Sequence, residues 1–330
     1  MVGINGQIAQ GQSQAAINLY TSRHYNTDQA LYDNFAEQTG IQVNLIEGNA
    51  EELIERIQSE GANSPADILC TVDAGNLWRA DQAGILQPVS SEILEETIPE
   101  NLRHPEGHWF AFSKRARVIM YNKDAVDPAS ITTYEDLADP KWNDKILIRS
   151  SGNIYNQSLL ASIIAANGAE AAEAWAQGVV DNMARPPEGG DTDQIKALAA
   201  GAGELAVSNT YYLARLLKSE DPADQEVAAK VGVIFPNQED RGTHVNISGC
   251  GVTASAPNQT GAIQFLEYLT TKEAQEYFAE GNNEYPVVAG VALDSVVASL
   301  GEFQEDTVPA NVLGENNPEA IRIFDRVGWK

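Results

Sequence analysis

Only two cysteines occur in the 330 residues, Cys70 and Cys250. With no CxxC pair and no Cys/His zinc spacing, redox motifs and zinc-finger frameworks are excluded. Each cysteine sits in a strand-like apolar run. Neighbouring strands of one sheet could join them as a disulfide, and two separate buried thiols fit the pattern equally well. Positive charge is also scarce: 21 Lys and Arg stand against 47 Asp and Glu, a formal charge of −26. That balance disfavours nucleic acid, anionic membrane surfaces and polyphosphates as bulk partners, and favours cations. The acidic residues are spread along the chain as on a solvated surface, not gathered in one site. No apolar stretch approaches the roughly 18 residues that span a bilayer. The opening, residues 1–16, is dominated by Gly, Gln, Ser and Asn and lacks the apolar core of a secretion signal. It reads either as a flexible leader from which a signal was removed or as the loose start of a cytoplasmic protein.

The common catalytic signatures are missing as well: there is no GxSxG, Walker A or HExxH motif. Gly249-Cys250-Gly251-Val252-Thr253-Ala254 matches GxGxxA after a strand. No helix opens directly after it and no acidic residue follows at the dinucleotide-binding distance, so close backbone packing is the better account. His104 and His108 are four apart, but Pro105 and Gly107 oppose the helix that would align them, leaving two surface-loop histidines. His244 opens a strand with no partner in sequence. An enzyme with Tyr as acid or base would need a poised nucleophile or cofactor motif, and none is present.

What the chain does have is length and alternation. With 43% hydrophobic residues it can bury a substantial core, and 330 residues suggest two domains. Strand patterns at 17–21, 41–46 and 68–72 alternate with helical patterns at 28–38 and 51–59, the mark of α/β architecture with parallel strands. The extended run 107–122 is long enough to cross between two lobes. A second series follows: strands at 145–149 and 204–208, helices after Asn156, at 169–178, at 193–200 and from Tyr211, then strands at 231–235 and 244–253. Short helices at 261–269 and 272–279 close the pattern, and Pro186 to Gly190 is a loop within the second series.

Tyrosines stand where ligands bind in such folds, at strand ends running into helices. Tyr211 and Tyr212 follow one strand, Tyr155 another, and Tyr25, directly after His24, a third. A phenol with pKa near 10 ionises at neutral pH only beside strong positive charge. Fe(III), a small hard trication, supplies that charge and prefers anionic oxygen, with imidazole an acceptable partner. Softer or divalent metals call for Cys, His or carboxylate clusters, which the sequence does not display. Taken singly, each tyrosine is an ordinary core or interface aromatic.

At Ser22-Arg23-His24-Tyr25, Gly152-Asn153-Ile154-Tyr155-Asn156-Gln157 and Ser208-Asn209-Thr210-Tyr211-Tyr212-Leu213-Ala214-Arg215 the chain resembles the ferric iron-binding proteins, periplasmic solute-binding components of bacterial iron ABC transporters, in their cyanobacterial FutA (IdiA) branch. Ala66-Asp67-Ile68-Leu69, Trp109-Phe110-Ala111-Phe112-Ser113 and Val245-Asn246-Ile247-Ser248-Gly249 resemble the family's framework, and the similarity runs from about Ile17 to the C-terminus. The resemblance implies a two-lobed α/β fold of the periplasmic-binding-protein type II, a transferrin-like clamp whose lobes are each a mixed sheet flanked by helices. One lobe would comprise 17–112 plus 245–289, the other 113–237 plus 290–330, with hinge strands near 110–118 and 238–246. It implies His24, Tyr25, Tyr155, Tyr211 and Tyr212 as the metal-ligating set, His24 either coordinating or only facing the cleft. Three phenolates neutralise Fe(III), and a fourth leaves one excess negative charge for an arginine to offset. Arg23, Arg115, Arg117 and Arg215 are the candidates, Arg115 and Arg215 foremost. Many relatives use a Glu and an exogenous anion; the 23–27 loop has no acidic residue, so a carboxylate or phosphate is not required. The implied role is capture of Fe(III) and delivery by a monomer to an inner-membrane ABC permease, in the periplasm. The alternatives are a binding protein for an anion or polyamine, and an intracellular or thylakoid-associated iron-handling protein.

Overall fold

The structure, a computed structural model, describes residues 15–23 and 27–330. Its strands are β1 (Ala16–Thr21), β2 (Gln42–Glu47), β3 (Ile68–Val72), β4 (Phe110–Asn122), β5 (Ile146–Leu147), β6 (Leu205–Asn209), β7 (Val231–Ile234), β8 (Val245–Val252) and β9 (Tyr285–Pro286). The helices of the first half are α1 (Asp28–Thr39), α2 (Ala50–Glu60), α3 (Ala74–Gln82), α4 (Glu92–Thr97), α5 (Ile154–Asn167) and α6 (Ala169–Asp181). Those of the second half are α7 (Asp191–Ala199), α8 (Thr210–Lys218), α9 (Pro222–Lys230), α10 (Gln259–Leu269), α11 (Lys272–Asn282), α12 (Ser295–Ser299), α13 (Ala310–Glu315) and α14 (Asn317–Val327).

The strands run in the order β2-β1-β3-β8-β4-β6-β5, with β7 and β9 also paired to β4. β1 is parallel to β2 and β3, and β5 is parallel to β6. β4 and β8 are antiparallel to their neighbours. β4 is the crossing strand: Phe110 to Ala116 pair with β8, whereas Arg117 to Tyr121 pair with β6. One core gathers Leu19, Phe35, Ile68, Trp109, Phe112 and Phe265, and another Ile119, Trp142, Trp175, Val207 and Phe324. Two lobes with separate cores thus share one long strand. The runs at 68–72 and 205–209 are buried along almost their whole length, Thr71, Ser208 and Asn209 included, as befits inner strands of a helix-covered sheet.

Cys70 lies directly opposite Cys250 on the β3–β8 ladder, and the pair is a disulfide with its Cα atoms 4.1 Å apart. The open choice between disulfide and separate thiols is thereby closed. Gly249 and Gly251 flank Cys250, and a Cβ on Gly249 would stand 2.7 Å from the Phe110 carbonyl oxygen. Close strand approach explains the GxGxxA match.

Several helices escaped the sequence patterns. α3 lies outside the helical patterns read above, although its N-cap, Asp73, is a residue type favoured at helix starts and accepts the Gly75 amide. The segment 290–330, expected to pack back on the second lobe alone, divides between the two. α13 places Ala310 and Leu313 in the first core, while α14 buries Ala320, Ile323 and Phe324 in the second. Each such side chain contributes about 1–3 kcal/mol of apolar burial, so the chain's end straps one lobe to the other.

Candidate metal centre

β5 and β6 are neighbours and parallel, so the helices that follow them begin side by side at the same sheet edge. Asn153, the N-cap of α5, accepts the Tyr155 amide at 3.2 Å, which fixes Tyr155 in the first helical turn. Asn209 ends β6 and is the N-cap of α8, placing Tyr211 and Tyr212 in its first turn. Helical side chains lean toward the N-terminus, and the three phenols therefore converge beyond both helix starts. The Tyr155 and Tyr211 hydroxyl oxygens are 3.4 Å apart, and the rings of Tyr211 and Tyr212 are 4.1 Å apart, centroid to centroid. Both helix dipoles present their positive ends here, which favours anionic oxygen.

Arginines stand over these rings. The Arg115 guanidinium carbon lies 5.4 Å from the Tyr155 ring centroid, and that of Arg215 lies 4.8 Å from Tyr211 and 5.8 Å from Tyr212. Arg115 is buried in β4, donating to Ser248 Oγ at 2.8 Å, to Glu284 Oε1 at 3.2 Å and to the Ile247 carbonyl. Glu284 also accepts from Ser113 Oγ at 2.7 Å and from Arg23, whose Nε donates to Asp28 Oδ2 at 2.9 Å. Arg23 and Arg115, 92 positions apart, thus share one fully buried carboxylate.

Arg117 acts at one remove from the phenols. It donates to Asn156 Oδ1 at 2.6 Å, to Asn209 Oδ1 at 3.0 Å and to Asp191 Oδ2 at 3.2 Å. Asn156 follows Tyr155, and Asn209 stands at the N-cap position of the Tyr211 helix with its side chain given to Arg117, so one guanidinium brackets both tyrosine-bearing turns. Burial raises the pKa of Tyr212 above the ordinary phenol value, with the nearby Tyr155 and Asp191 charges adding to it; the Tyr211 hydrogen bond and Arg149 pull the other way. This shift favours the protonated phenol at neutral pH.

His24 and Tyr25 lie outside the described residues. Their flanks are tied down: Arg23 to Asp28 and Glu284, and the Thr27 hydroxyl to Asn282. Sequence reading missed Glu284, Asp191, Arg149 and the asparagines. Asn153 and Asn209 carried a legible cap signal, Asn before a helix start, whereas Glu284 had none. His244 is buried and neutral, its pKa pushed down to about 3 by burial and then by Arg117, Arg241 and Arg115. His104 and His108 lie in a loop without a helix, as expected, but its tight turn stacks their rings 4.6 Å apart, beside Asp81.

Residues 30–305 match the family model described as bacterial extracellular solute-binding protein. The chain belongs to that family. As a solute-binding protein it is 58% identical to Iron uptake protein A1 of Synechocystis over 96% of this chain and 88% of the relative. Iron uptake protein A2 of the same organism is 59% identical, with 98% and 92% covered. The solved structure of Trichodesmium FutA (IdiA) in complex with iron and citrate ligands superposes with a TM-score of 0.93 at 64% identity, covering 96% of this chain and all of that one. The two-lobed fold is therefore that of the iron-uptake solute-binding proteins, as the tyrosine segments implied.

Proposed function

We propose that this solute-binding protein captures Fe(III) between its lobes through tyrosine phenolates and delivers it, as a monomer in the periplasm, to an ABC permease. The observation that carries the reading is the convergence of Tyr155, Tyr211 and Tyr212 at two helix N-termini under Arg115 and Arg215. It is supported by the two Synechocystis relatives named for iron uptake. In this reading the second-lobe tyrosines take the ion first, and lobe closure adds Tyr25 and His24. Arg115 and Arg215 offset the fourth phenolate's charge, while Arg117 and Arg23 hold the ligand-bearing segments. The chemistry is binding, not turnover. Release follows reduction, because Fe(II) carries one charge fewer and no longer keeps the phenols ionised, or follows acidification.

A second reading concerns the shell. A polar cavity of about 340 Å³ flanks the centre, lined by Ser22, Asn49, Asn76, Arg79, Asn153 and Gln157 among others. The related Trichodesmium structure holds citrate with its iron, and Ser22, the asparagines and Arg79, which also pairs with Glu51 of the same wall at 2.8 Å, would supply the donors for a small carboxylate.

The test is titration of metal-free protein with a chelated Fe(III) salt at neutral pH, with and without citrate, following the visible phenolate-to-iron charge-transfer band. A stoichiometric band that is lost or shifted in Tyr155→Phe, Tyr211→Phe and Tyr212→Phe is the expected result. No band and no calorimetric binding would return the tyrosines to packing or to another solute. Dependence of the band on citrate decides whether a carboxylate shares the shell.

A further inference from the structure

The second constellation of metal-binding side chains lies far along α3 from the tyrosines. α3 runs roughly 12 Å from Asp73, which faces α5, to Asp81 in its last turn. There the loop between the paired Arg103 and Phe110 doubles back: the His104 amide donates to the Trp109 carbonyl at 2.9 Å and the Gly107 amide to the His104 carbonyl at 2.9 Å. Gly107, at φ +75, makes the turn possible. The fold thus places His104 and His108 on one side of a rigid turn, rings parallel within 3°, both against Asp81. His108 Nδ1 bonds Asp81 Oδ1, and His104 Nε2 is 3.7 Å from Asp81 Oδ2.

We infer that Asp81, His104 and His108 form a second metal site, for a divalent borderline ion such as Zn(II), on the first lobe. One donor atom from each residue lies within 4.8 Å of the others, and the three side chains are 14–21% exposed. Two imidazoles and a carboxylate with solvent access are three protein ligands that leave a fourth position for water, the arrangement Zn(II) takes. Imidazole-rich sites suit divalent first-row ions, whereas phenolates suit a hard trication, so the two centres select different ions. A cavity of about 630 Å³ opens beside His104, with Glu95, Glu100 and Glu106 in its wall and Arg103 opposing them; its net negative lining draws a cation inward.

Coordination asks for two local changes. The parallel rings must tilt so that both lone pairs meet at one ion about 2.0–2.1 Å away. His104 must also bind as its Nδ1–H tautomer, giving up the 3.1 Å bond that Nδ1 accepts from the Glu106 amide and turning the new N–H to solvent. The first change is a side-chain rotation and the second a proton shift between the ring nitrogens through solvent, both at a partly solvated edge, and the bound ion clamps the 103–110 turn to the end of α3.

The test uses the full chain carrying Tyr211→Phe and Tyr212→Phe, so that the tyrosine centre does not compete and the outcome is independent of the iron reading. Co(II) is the spectroscopic probe and Zn(II) the competitor. The expected result is one Co(II) per chain with visible bands of a low-coordinate N/O site, displaced by Zn(II). His104→Gln or His108→Gln should weaken binding at least about tenfold with the near-ultraviolet circular dichroism unchanged. If no Zn(II) or Co(II) is retained on dialysis, or if it is retained equally by the double histidine variant, the trio is only a carboxylate bracing two rings and the inference is overturned.

Discussion

The hydroxyl oxygens of Tyr155 and Tyr211 stand 3.4 Å apart although 56 residues separate them in the chain. Two phenolates at that distance repel by about 5 kcal/mol at an effective dielectric constant near 20. The pair is therefore stable as neutral phenols, or as phenolates sharing a cation, and not as bare anions. Metal-free protein should show no tyrosinate absorbance near neutral pH, and Fe(III) should induce it at pH 7. Ultraviolet difference spectra check this, and a tyrosinate signal in the metal-free protein would contradict it.

Iron affinity should fall steeply with acidity. Tyr212 is held above the ordinary phenol value by burial, so binding must displace its proton, as it must those of the other ligating phenols. Each proton released makes the apparent affinity drop about tenfold per pH unit at pH well below the phenol pKa. Competition against one chelator at several pH values, corrected for the chelator's own protonation, gives the slope. A slope below one proton would mean that no phenol ionises on binding.

Removing the Arg117 guanidinium should damage both site and fold. Arg117→Met leaves the buried Asp191 carboxylate without its 3.2 Å partner and frees Asn156 and Asn209. Breaking such a buried pair costs about 3–5 kcal/mol. Urea denaturation should report that loss, and iron titration of the folded fraction should show weaker binding because both tyrosine turns lose their bracket. The further replacement Asp191→Asn in the same chain should recover part of the stability.

The Cys70–Cys250 disulfide spans a sequence separation of 180 residues and ties β3 to the return strand β8. Chain-entropy reasoning assigns it up to about 5 kcal/mol, with 2–5 kcal/mol the usual range for native bridges. The Cys70→Ala/Cys250→Ala protein should unfold at correspondingly lower denaturant. Tyr155, Tyr211 and Tyr212 lie on the other lobe, so an iron charge-transfer band from these three should survive at low temperature.

Two buried groups set opposing pH trends in stability. Asp73, accepting from Ser158 across the lobes at 2.6 Å and from Asn246 at 2.7 Å, has its pKa raised from 3.8 to about 6, chiefly by burial. The folded state takes up that proton first, so this group adds stability as pH falls from about 6 toward 3.8. His244, lowered from 6.5 to about 3, does the reverse: its contribution is complete above pH 6.5 and is lost as pH falls toward 3. The stability difference between wild type and Asp73→Asn should therefore shift in favour of wild type by about 1.4 kcal/mol per pH unit between pH 6 and 4. Parallel denaturation curves across that window would show that Asp73 does not titrate there.

Much of this molecule was legible in its sequence because the signals are local. Strand patterns at 68–72 and 204–208, the Asn residues before Tyr155 and Tyr211, and the long extended run at 107–122 each declare their element within a few residues. The sequence by itself determined the two α/β series and the set of phenols, and with them the preference for a hard cation. Only the tertiary structure decided which side chains meet. Glu284 joins Arg23 to Arg115, and Asp73 meets Ser158 across the lobes. The two cysteines face each other, and two loop histidines stack on Asp81. These contacts link residues up to 261 positions apart. Such partners are chosen by strand order and lobe packing, and a window of neighbouring residues carries no trace of them.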